Sequence, residues 1–159
     1  MIETAAGIET VIEDARWTEA LGDAQALATC CFDAARQGRP ELAGEVALLL
    51  ADDATLSKLN ARFRGRDKPT NVLSFPSGET PPGFIGDIAL AFETCEKEAA
   101  EKSIALADHA AHLIVHGLLH LAGHDHEEDA EAEVMEALEV DILDAIGVSN
   151  PYSSEKRVK

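Results

Sequence analysis

The chain has 159 residues, the usual length of one domain with a sizeable hydrophobic core. Its formal net charge of −17 argues against a protein that binds nucleic acid over a general basic surface, so a polyanion must meet a local basic patch. Three cysteines without a C-x-x-C spacing indicate reduced thiols. Because neither the basic segment of a secretory signal nor an apolar run of bilayer length is found, we expect a cytoplasmic protein without a membrane partner.

The first third of the chain predicts one strand and one helix. Residues 7–12 show a weak strand pattern. Thr18 can cap a helix whose apolar residues recur at helical spacing and which ends at Gly38 and Pro40. The two adjacent cysteines in this helix are interpreted as small buried residues rather than as metal ligands.

The middle of the chain predicts three more strands and a second helix. The helix begins at Asp52 or Asp53 and ends at Gly65. Pro76 stops the strand that follows it, and residues 77–83 form a loop rich in glycine and proline. The inward-facing side chains of the helix are those of Leu56, Leu59 and Phe63. The three strands cover residues 45–51, 71–75 and 84–92.

Helices dominate the remainder of the chain. A short helix follows Thr94, a long one spans residues 104–122, and the last spans residues 127–146. Nine acidic residues between Glu127 and Asp144 indicate a solvated face of the last helix. Its opposite face would pack through Val134, Leu138, Ile142 and Ile146.

Early strands and late helices predict an α+β fold, namely a single compact domain with a small mixed sheet and about five helices. We assign this domain to residues 1–152 and a flexible polar tail to residues 153–159. No internal repeat and no second domain is visible in the sequence.

The strongest chemical signal is the segment His-Gly-Leu-Leu-His-Leu-Ala-Gly-His-Asp-His, residues 116–126. His116 and His120 are four residues apart on one face of the predicted helix. Gly123 is a natural stop for that helix, after which the chain can return and bring His126 to the same point. Three histidines in this arrangement would hold a zinc ion and leave a fourth position open, as in catalytic sites.

Other histidines compete for these roles. His109 and His112 lie on the same helical stripe but farther from the turn, so we interpret them as core or capping residues or as hydrogen-bond partners of the ligands. His124 is the main competitor of His126 for the third ligand position. Asp125, between them, is either a turn residue or a proton carrier near the metal.

The same histidine and glycine spacing occurs in the metzincin peptidases, where a glutamate follows the first histidine and acts as the general base. Gly117 occupies that position in this chain. No carboxylate on the predicted helix can replace the glutamate, so the spacing predicts a metal site without peptidase chemistry.

A basic loop is the second chemical signal. Residues 58–68 contain five of the thirteen lysines and arginines and only one acid. In so acidic a protein, this concentration indicates a phosphate-binding patch, with Lys68 among its candidate contacts. The alternative is a basic helix end, where cations complement the helix dipole.

Both signals resemble one known family. Residues 60–76, Asn-Ala-Arg-Phe-Arg-Gly-Arg-Asp-Lys-Pro-Thr-Asn-Val-Leu-Ser-Phe-Pro, look like the signature loop of the YbeY family, the bacterial rRNA maturation endoribonucleases. The segment 116–126 resembles the zinc motif of that family. Residues 86–88, Gly-Asp-Ile, match a shorter family element, and residues 150–152, Asn-Pro-Tyr, are a weaker match. These elements follow the order of the family over most of residues 45–152.

The resemblance implies a single-strand-specific, zinc-dependent endoribonuclease that acts in 16S rRNA 3′-end maturation and ribosome quality control. Its implied partners are single-stranded RNA, as the 16S rRNA precursor, and the ribosome or ribosomal proteins, and no DNA is expected. The resemblance assigns one Zn²⁺ per chain to His116, His120 and His126, and it assigns Arg64 to catalysis. Because the family usually has an aromatic residue at the position of His124, either His124 or His126 could close the metal site, and the order of the motif favours His126.

We hypothesise that zinc polarises a phosphoryl oxygen or activates water while Arg64 holds the phosphate. The metal that is bound, the general base, the nucleophile, the cleavage position and the oligomeric state stay open at this point. Two other functions fit the sequence. One is a non-enzymatic ribosome-assembly protein with a structural metal, and the other is a metal-dependent hydrolase of another substrate such as a peptide.

Overall fold

The structure is a computed structural model that describes residues 7–37, 39, 41–64, 70–77, 83–124 and 128–152, without the side chains of residues 63 and 64. Several predicted features lie outside this description: the helix ends at Gly38, Pro40 and Gly65, most of the loop 77–83, the tail 153–159, the inward-facing side chain of Phe63, and the residues Lys68, Asp125 and His126.

The described residues form a four-stranded sheet and six helices, which confirms the predicted α+β domain with a small mixed sheet and one helix more than expected. In chain order the elements are β1 (Gly7–Ile12), α1 (Arg16–Leu21), α2 (Ala24–Arg36), β2 (Glu45–Ala51), α3 (Asp53–Arg64), β3 (Val72–Pro76), β4 (Phe84–Ala91), α4 (Phe92–Lys102), α5 (Leu106–Leu121) and α6 (Asp129–Ala145).

The additional helix arises because the predicted helix from Thr18 onward is two helices. Gly22 ends α1 with a φ of 72°, a left-handed conformation that glycine adopts without steric cost. Asp23 then caps α2, since its carboxylate accepts a hydrogen bond from the backbone NH of Ala26 at 3.0 Å. The expected cap at Thr18 is therefore wrong, and Thr18 lies inside α1.

The sheet has the strand order β1-β2-β4-β3. Strands β1, β2 and β4 are parallel neighbours, and β3 pairs antiparallel with β4 at one edge. Pro76 was expected to stop the third strand, but it is the last residue of β3 and is paired with Gly86. An edge strand tolerates proline because one side of its backbone makes no ladder hydrogen bonds.

Helices cover both faces of the sheet, and α5 is the most deeply buried of them. The main core packs side chains of β1, β2 and β4, such as Leu48 and Ile88, against α2, α5 and α6. A smaller cluster on the other face packs Leu56 of α3 against Leu73 of β3. The prediction for α3 is confirmed for Leu56, which is fully buried, and for Leu59, which is partly buried against the smaller cluster.

The adjacent cysteines differ in burial. Cys31 is fully buried, and burial raises the pKa of its thiol to about 12. Cys30 is exposed, so the prediction that both are buried is wrong for this residue. Neighbouring residues of a helix project about 100° apart, and one of an adjacent pair therefore leaves the core face.

Within the described residues, no single helix combines the length and apolar composition needed to cross a membrane. The bent pair of α4 and α5, with 115° between its axes, meets those two criteria only jointly.

Candidate metal centre

Helix α5 lies unusually close to strand β4. A Cβ atom built on Gly117 would lie 3.0 Å from two side-chain carbons of Ile88, and one built on Gly86 would lie 2.8 Å from Cδ2 of Leu121. Gly117 is buried against the sheet and does not lie on the histidine face of α5. The position that carries the glutamate in metzincins therefore has no room for a side chain of that size here.

The end of α5 follows from Gly123, as the sequence predicted. The φ of Gly123 is 104°. Its backbone NH donates to the carbonyl of His120 at 3.0 Å, and the NH of His124 donates to the carbonyl of Leu119 at 3.0 Å. This pair of bonds is a Schellman motif, which ends the helix and holds His124 immediately beyond it.

The four histidines of α5 form a stripe that runs from the core to the surface. His109 and His112 are buried, with 1% and 7% of their surface exposed, whereas His116 and His120 are partly exposed. The ring centroids of His116 and His120 lie 4.8 Å apart. His109 and His112 are therefore core residues, whereas His116 and His120 lie together at the surface end. Helical periodicity alone could not distinguish these two pairs.

A buried carboxylate on α6 organises this stripe. Glu139 is fully buried, and its Oε2 accepts a hydrogen bond from Nδ1 of His116 at 2.6 Å. Its Oε1 accepts hydrogen bonds from Nε2 of His112 at 3.0 Å and from the hydroxyl of Tyr152. Burial alone would raise the pKa of Glu139, but these three hydrogen bonds outweigh it and lower the pKa to about 2. The carboxylate is therefore ionised and accepts from all three groups.

The bond to Glu139 selects the tautomer of His116. Since an ionised carboxylate can only accept, Nδ1 of His116 carries the proton, and Nε2 is then the ring atom that can coordinate a metal. Histidines that bind metals commonly donate their other ring NH to a carboxylate in this way. The donor set of His116 and the neighbouring ring of His120 fits a metal such as zinc.

The structure corrects two predictions for α6. The acidic face was expected to be solvated, which is wrong for Glu139. Val134 was expected to pack inward, but it is 55% exposed, and its neighbour Met135 is buried instead. Ile142 is buried and Leu138 and Ile146 are partly buried, as predicted. The buried face is thus centred on Met135, Glu139 and Ile142, which recur at the spacing of one helical stripe.

A cleft adjoins His116 on the side of α6. Its volume is about 320 Å³, and it is lined by His116, Ala132, Met135, Glu136, Glu139 and Tyr152. The carboxylates of Glu136 and Glu139 make this side of the site acidic.

His124 contacts a residue from the other end of the chain. Nη1 of Arg39, in the loop between α2 and β2, donates to Nε2 of His124 at 3.1 Å. Since a guanidinium remains protonated and can only donate, Nε2 of His124 is the acceptor in this bond. His124 is therefore engaged through the nitrogen that it would otherwise offer to a metal.

A second carboxylate joins α5 to the residues that follow the basic loop. Oε1 of Glu98 accepts hydrogen bonds from Nδ2 of Asn71 at 2.9 Å and from Nε2 of His109 at 2.8 Å. Burial lowers the pKa of His109, and the bond to Glu98 acts in the opposite direction. Asn71 lies just before β3, so this bridge connects the segment that follows the basic loop with α5.

The sequence-predicted site residues are only partly covered by the structure. His116 and His120 lie together, while His126 and Lys68 are outside the described residues, and Arg64 ends α3 without a described side chain. Among the described residues, no three His, Cys, Asp or Glu side chains converge as a metal cluster.

The roles of Glu139, Glu98 and Arg39 were missed by sequence reasoning. For Glu139 a signal existed, because an acid between Met135 and Ile142 interrupts an apolar stripe. Nothing in the local sequence of Glu98 or Arg39 indicates its partner.

Comparisons with known proteins find one family. The family model described as Endoribonuclease YbeY matches residues 11–147. The chain is 44% identical to the Endoribonuclease YbeY of Maricaulis maris, with 93% of this chain and 92% of the relative covered. It is 48% identical to that of Erythrobacter litoralis, with 89% and 95% covered. The solution structure of TM1509 from Thermotoga maritima is similar with a TM-score of 0.57 and 26% identity, over 96% of this chain and 99% of the other.

Proposed function

Since the chain belongs to the endoribonuclease YbeY family, we propose that it is a single-strand-specific, zinc-dependent endoribonuclease of the cytoplasm. Its proposed role is 16S rRNA 3′-end maturation and ribosome quality control, with the ribosome or its proteins as partners. The observation that supports the metal site is the hydrogen bond of 2.6 Å from Nδ1 of His116 to the buried carboxylate of Glu139.

His116, His120 and His126 would hold one zinc ion per chain. Zinc would supply a Lewis acid that polarises a phosphoryl oxygen of the RNA. His116 would coordinate through Nε2, because Glu139 accepts the proton-bearing Nδ1 and holds the ring in one orientation. His126 is favoured over His124 as the third ligand, since Nε2 of His124 accepts a hydrogen bond from Arg39.

Arg64 would bind the phosphate and offset the negative charge that develops in the transition state, with Lys68 as a further contact. Both residues belong to the basic loop of residues 58–68, and Asn71, which follows that loop, is bridged through Glu98 to His109 of α5.

The peptidase alternative is disfavoured by packing. A glutamate at position 117 would need space that Ile88 occupies, so position 117 cannot supply the general base of the metzincins. The non-enzymatic alternative differs from the proposal in its response to Arg64→Ala, which should leave rRNA processing intact if the metal only stabilises the fold.

The test combines metal analysis with cleavage of single-stranded and duplex forms of one rRNA sequence. We expect zinc in the wild type and cleavage only of the single strand. His120→Ala and His126→Ala should lose the metal and the activity, and Arg64→Ala should lose activity but keep the metal. Asp108→Asn, at an exposed position of α5, is the control and should keep both. Full cleavage by metal-stripped His120→Ala protein, free of contaminating nuclease, would contradict the proposal.

A further inference from the structure

Arg39 is a basic residue in contact with His124, the residue that follows the end of α5. It lies 85 positions from His124 in the sequence, yet its guanidinium is 3.1 Å from the His124 ring. In a chain with a net charge of −17, an arginine beside the proposed metal site needs an explanation.

Both partners of this contact are held by the backbone. The NH of Arg39 donates to the carbonyl of Arg36 at 3.2 Å, and the carbonyl of Arg39 accepts from the NH of Leu42 at 2.9 Å. Leu42 is fully buried in the main core and anchors the loop there. The backbone of His124 is held by its NH bond to Leu119, so the backbones on both sides of the contact are fixed relative to the core and to α5.

The chemistry of the pair leaves the arginine available for an anion. A guanidinium has five NH donors, and the bond to His124 uses one of them. No carboxylate pairs with Arg39 among the described residues, in contrast to Arg16, which pairs with Asp14 and Glu93. Its histidine partner carries no negative charge and therefore does not offset the positive charge of the guanidinium.

The α6 cleft and the contact of Arg39 with His124 differ in charge. The cleft on the α6 side is lined by Glu136 and Glu139, which repel a phosphate. Arg39 belongs to the loop that follows α2 and contacts the ring just beyond the end of α5. A polyanionic backbone that reaches the histidines is therefore favoured near Arg39 rather than in the α6 cleft.

We propose that Arg39 binds a backbone phosphate of the single-stranded RNA, next to the phosphate that is cleaved, and that His124 positions it. This inference rests on the proposed function and deepens it. His124 follows the Schellman turn that ends α5, so its guanidinium partner lies at the ring beyond the helix end. A contact to a neighbouring phosphate is made equally in the ground state and the transition state, and its loss raises KM more than it lowers kcat.

The test compares Arg39→Ala with Arg36→Ala, which removes the same charge from the last turn of α2, where Arg36 stacks on Phe32 instead of contacting His124. Cleavage kinetics, metal content and binding of a fluorescent single-stranded RNA over a range of salt are measured. For Arg39→Ala we expect KM to rise about tenfold, kcat to stay within about twofold and zinc content to stay unchanged. The slope of log K against log salt should fall by about 0.7, as for one lost phosphate contact. Arg36→Ala should change KM by less than about twofold.

Variants of His124 test the positioning role separately. His124→Gln keeps an acceptor for Arg39 and should bind RNA nearly as the wild type does, while His124→Phe keeps a ring without an acceptor and should raise KM. Arg39→Lys, which keeps the charge without the planar fork, should fall between wild type and Arg39→Ala.

The outcomes separate this inference from the proposed function. If Arg39→Ala behaves as Arg36→Ala does, or if it loses zinc, the inference is wrong while cleavage by the wild type still supports the function. If the wild type binds RNA without cleaving it, the proposed function fails, and the salt slope of Arg39→Ala still decides the phosphate contact. A wild type that neither binds nor cleaves single-stranded RNA overturns both.

Discussion

Glu98 and Glu139 both accept hydrogen bonds from histidines of α5, but they do so from different surroundings. Glu98, on α4, keeps 32% of its side chain exposed, and a single oxygen accepts from Asn71 and His109. Glu139, on α6, is 1% exposed at the side chain and uses both oxygens. Helix α5 thus has two hydrogen-bonded histidine–glutamate bridges, one with a partly exposed carboxylate and one with a fully buried carboxylate.

The difference shows how burial assigns roles within one histidine stripe. The Glu98 bridge ties α5 to the segment before β3 and can exchange with water, so its loss is compensated in part. The Glu139 carboxylate is surrounded by its three donors, and removal of an acceptor there leaves buried NH groups unsatisfied. Only the second bridge reaches a histidine that lies at the surface end, namely His116.

The largest expected effect comes from replacing each carboxylate by its amide. In Glu139→Gln, one of the two carboxylate oxygens becomes an NH₂ group that faces a donor, so the orientation of His116 is lost. We expect zinc affinity to fall by about 10- to 100-fold, measured by competition with a chelator. In Glu98→Gln, the remaining oxygen can still accept from both Asn71 and His109, and zinc affinity should stay within about twofold.

Equal zinc affinity in the two amide variants would contradict the distinction between the bridges. Thermal melting of the metal-free proteins controls for stability, because a Glu139→Gln protein that is already unfolded would also fail to bind zinc. The comparison is therefore made at a temperature well below the lower of the two Tm values.

A smaller effect is expected where α5 meets the sheet. Gly117→Ala places a Cβ 3.0 Å from two carbons of Ile88, and we expect it to lower the free energy of unfolding by about 1–3 kcal/mol through overpacking. Ile88→Val in the same chain should restore part of this loss, since it removes one of the opposing carbons. Denaturant unfolding of the two single variants and the double variant measures the coupling, and strict additivity would show that the close approach of α5 carries no strain.

The smallest effect is expected for Tyr152→Phe. This change removes the hydroxyl that donates to Oε1 of Glu139, while the bond from His112 to the same oxygen remains. We expect a loss of about 1 kcal/mol in the free energy of unfolding and a change of less than about threefold in zinc affinity. A loss of zinc affinity as large as that of Glu139→Gln would mean that Tyr152, rather than the carboxylate, orients His116.

The fold could be predicted from sequence in its elements but less well at their ends. The strands at residues 7–12 and 45–51 follow the apolar pattern and have the predicted bounds. The break between α1 and α2 was missed because Gly22 and Asp23 lie within an apolar periodicity that continues across them. Backbone conformation at one glycine decided the boundary there, and periodicity does not report it.

The register of α6 was off by one residue for the same kind of reason. Val134 and Met135 are both apolar neighbours, and the pattern does not choose between them. Packing against α5 places Met135 inward and leaves Val134 at the surface, since that rotation also directs Glu139 to the histidines. A polar contact across two helices thus determined which apolar residue is buried.

The sequence by itself determined the pairing of His116 with His120 and the helix end at Gly123, because spacing along a helix and glycine's left-handed conformation are local properties. Only the tertiary structure decided which histidines are buried, which carboxylate orients His116, and which arginine contacts His124. The two hydrogen bonds join residues 23 and 85 positions apart, and the burial of the histidines also depends on contacts between distant segments. Such contacts produce no periodic pattern in the sequence, so periodicity cannot predict them.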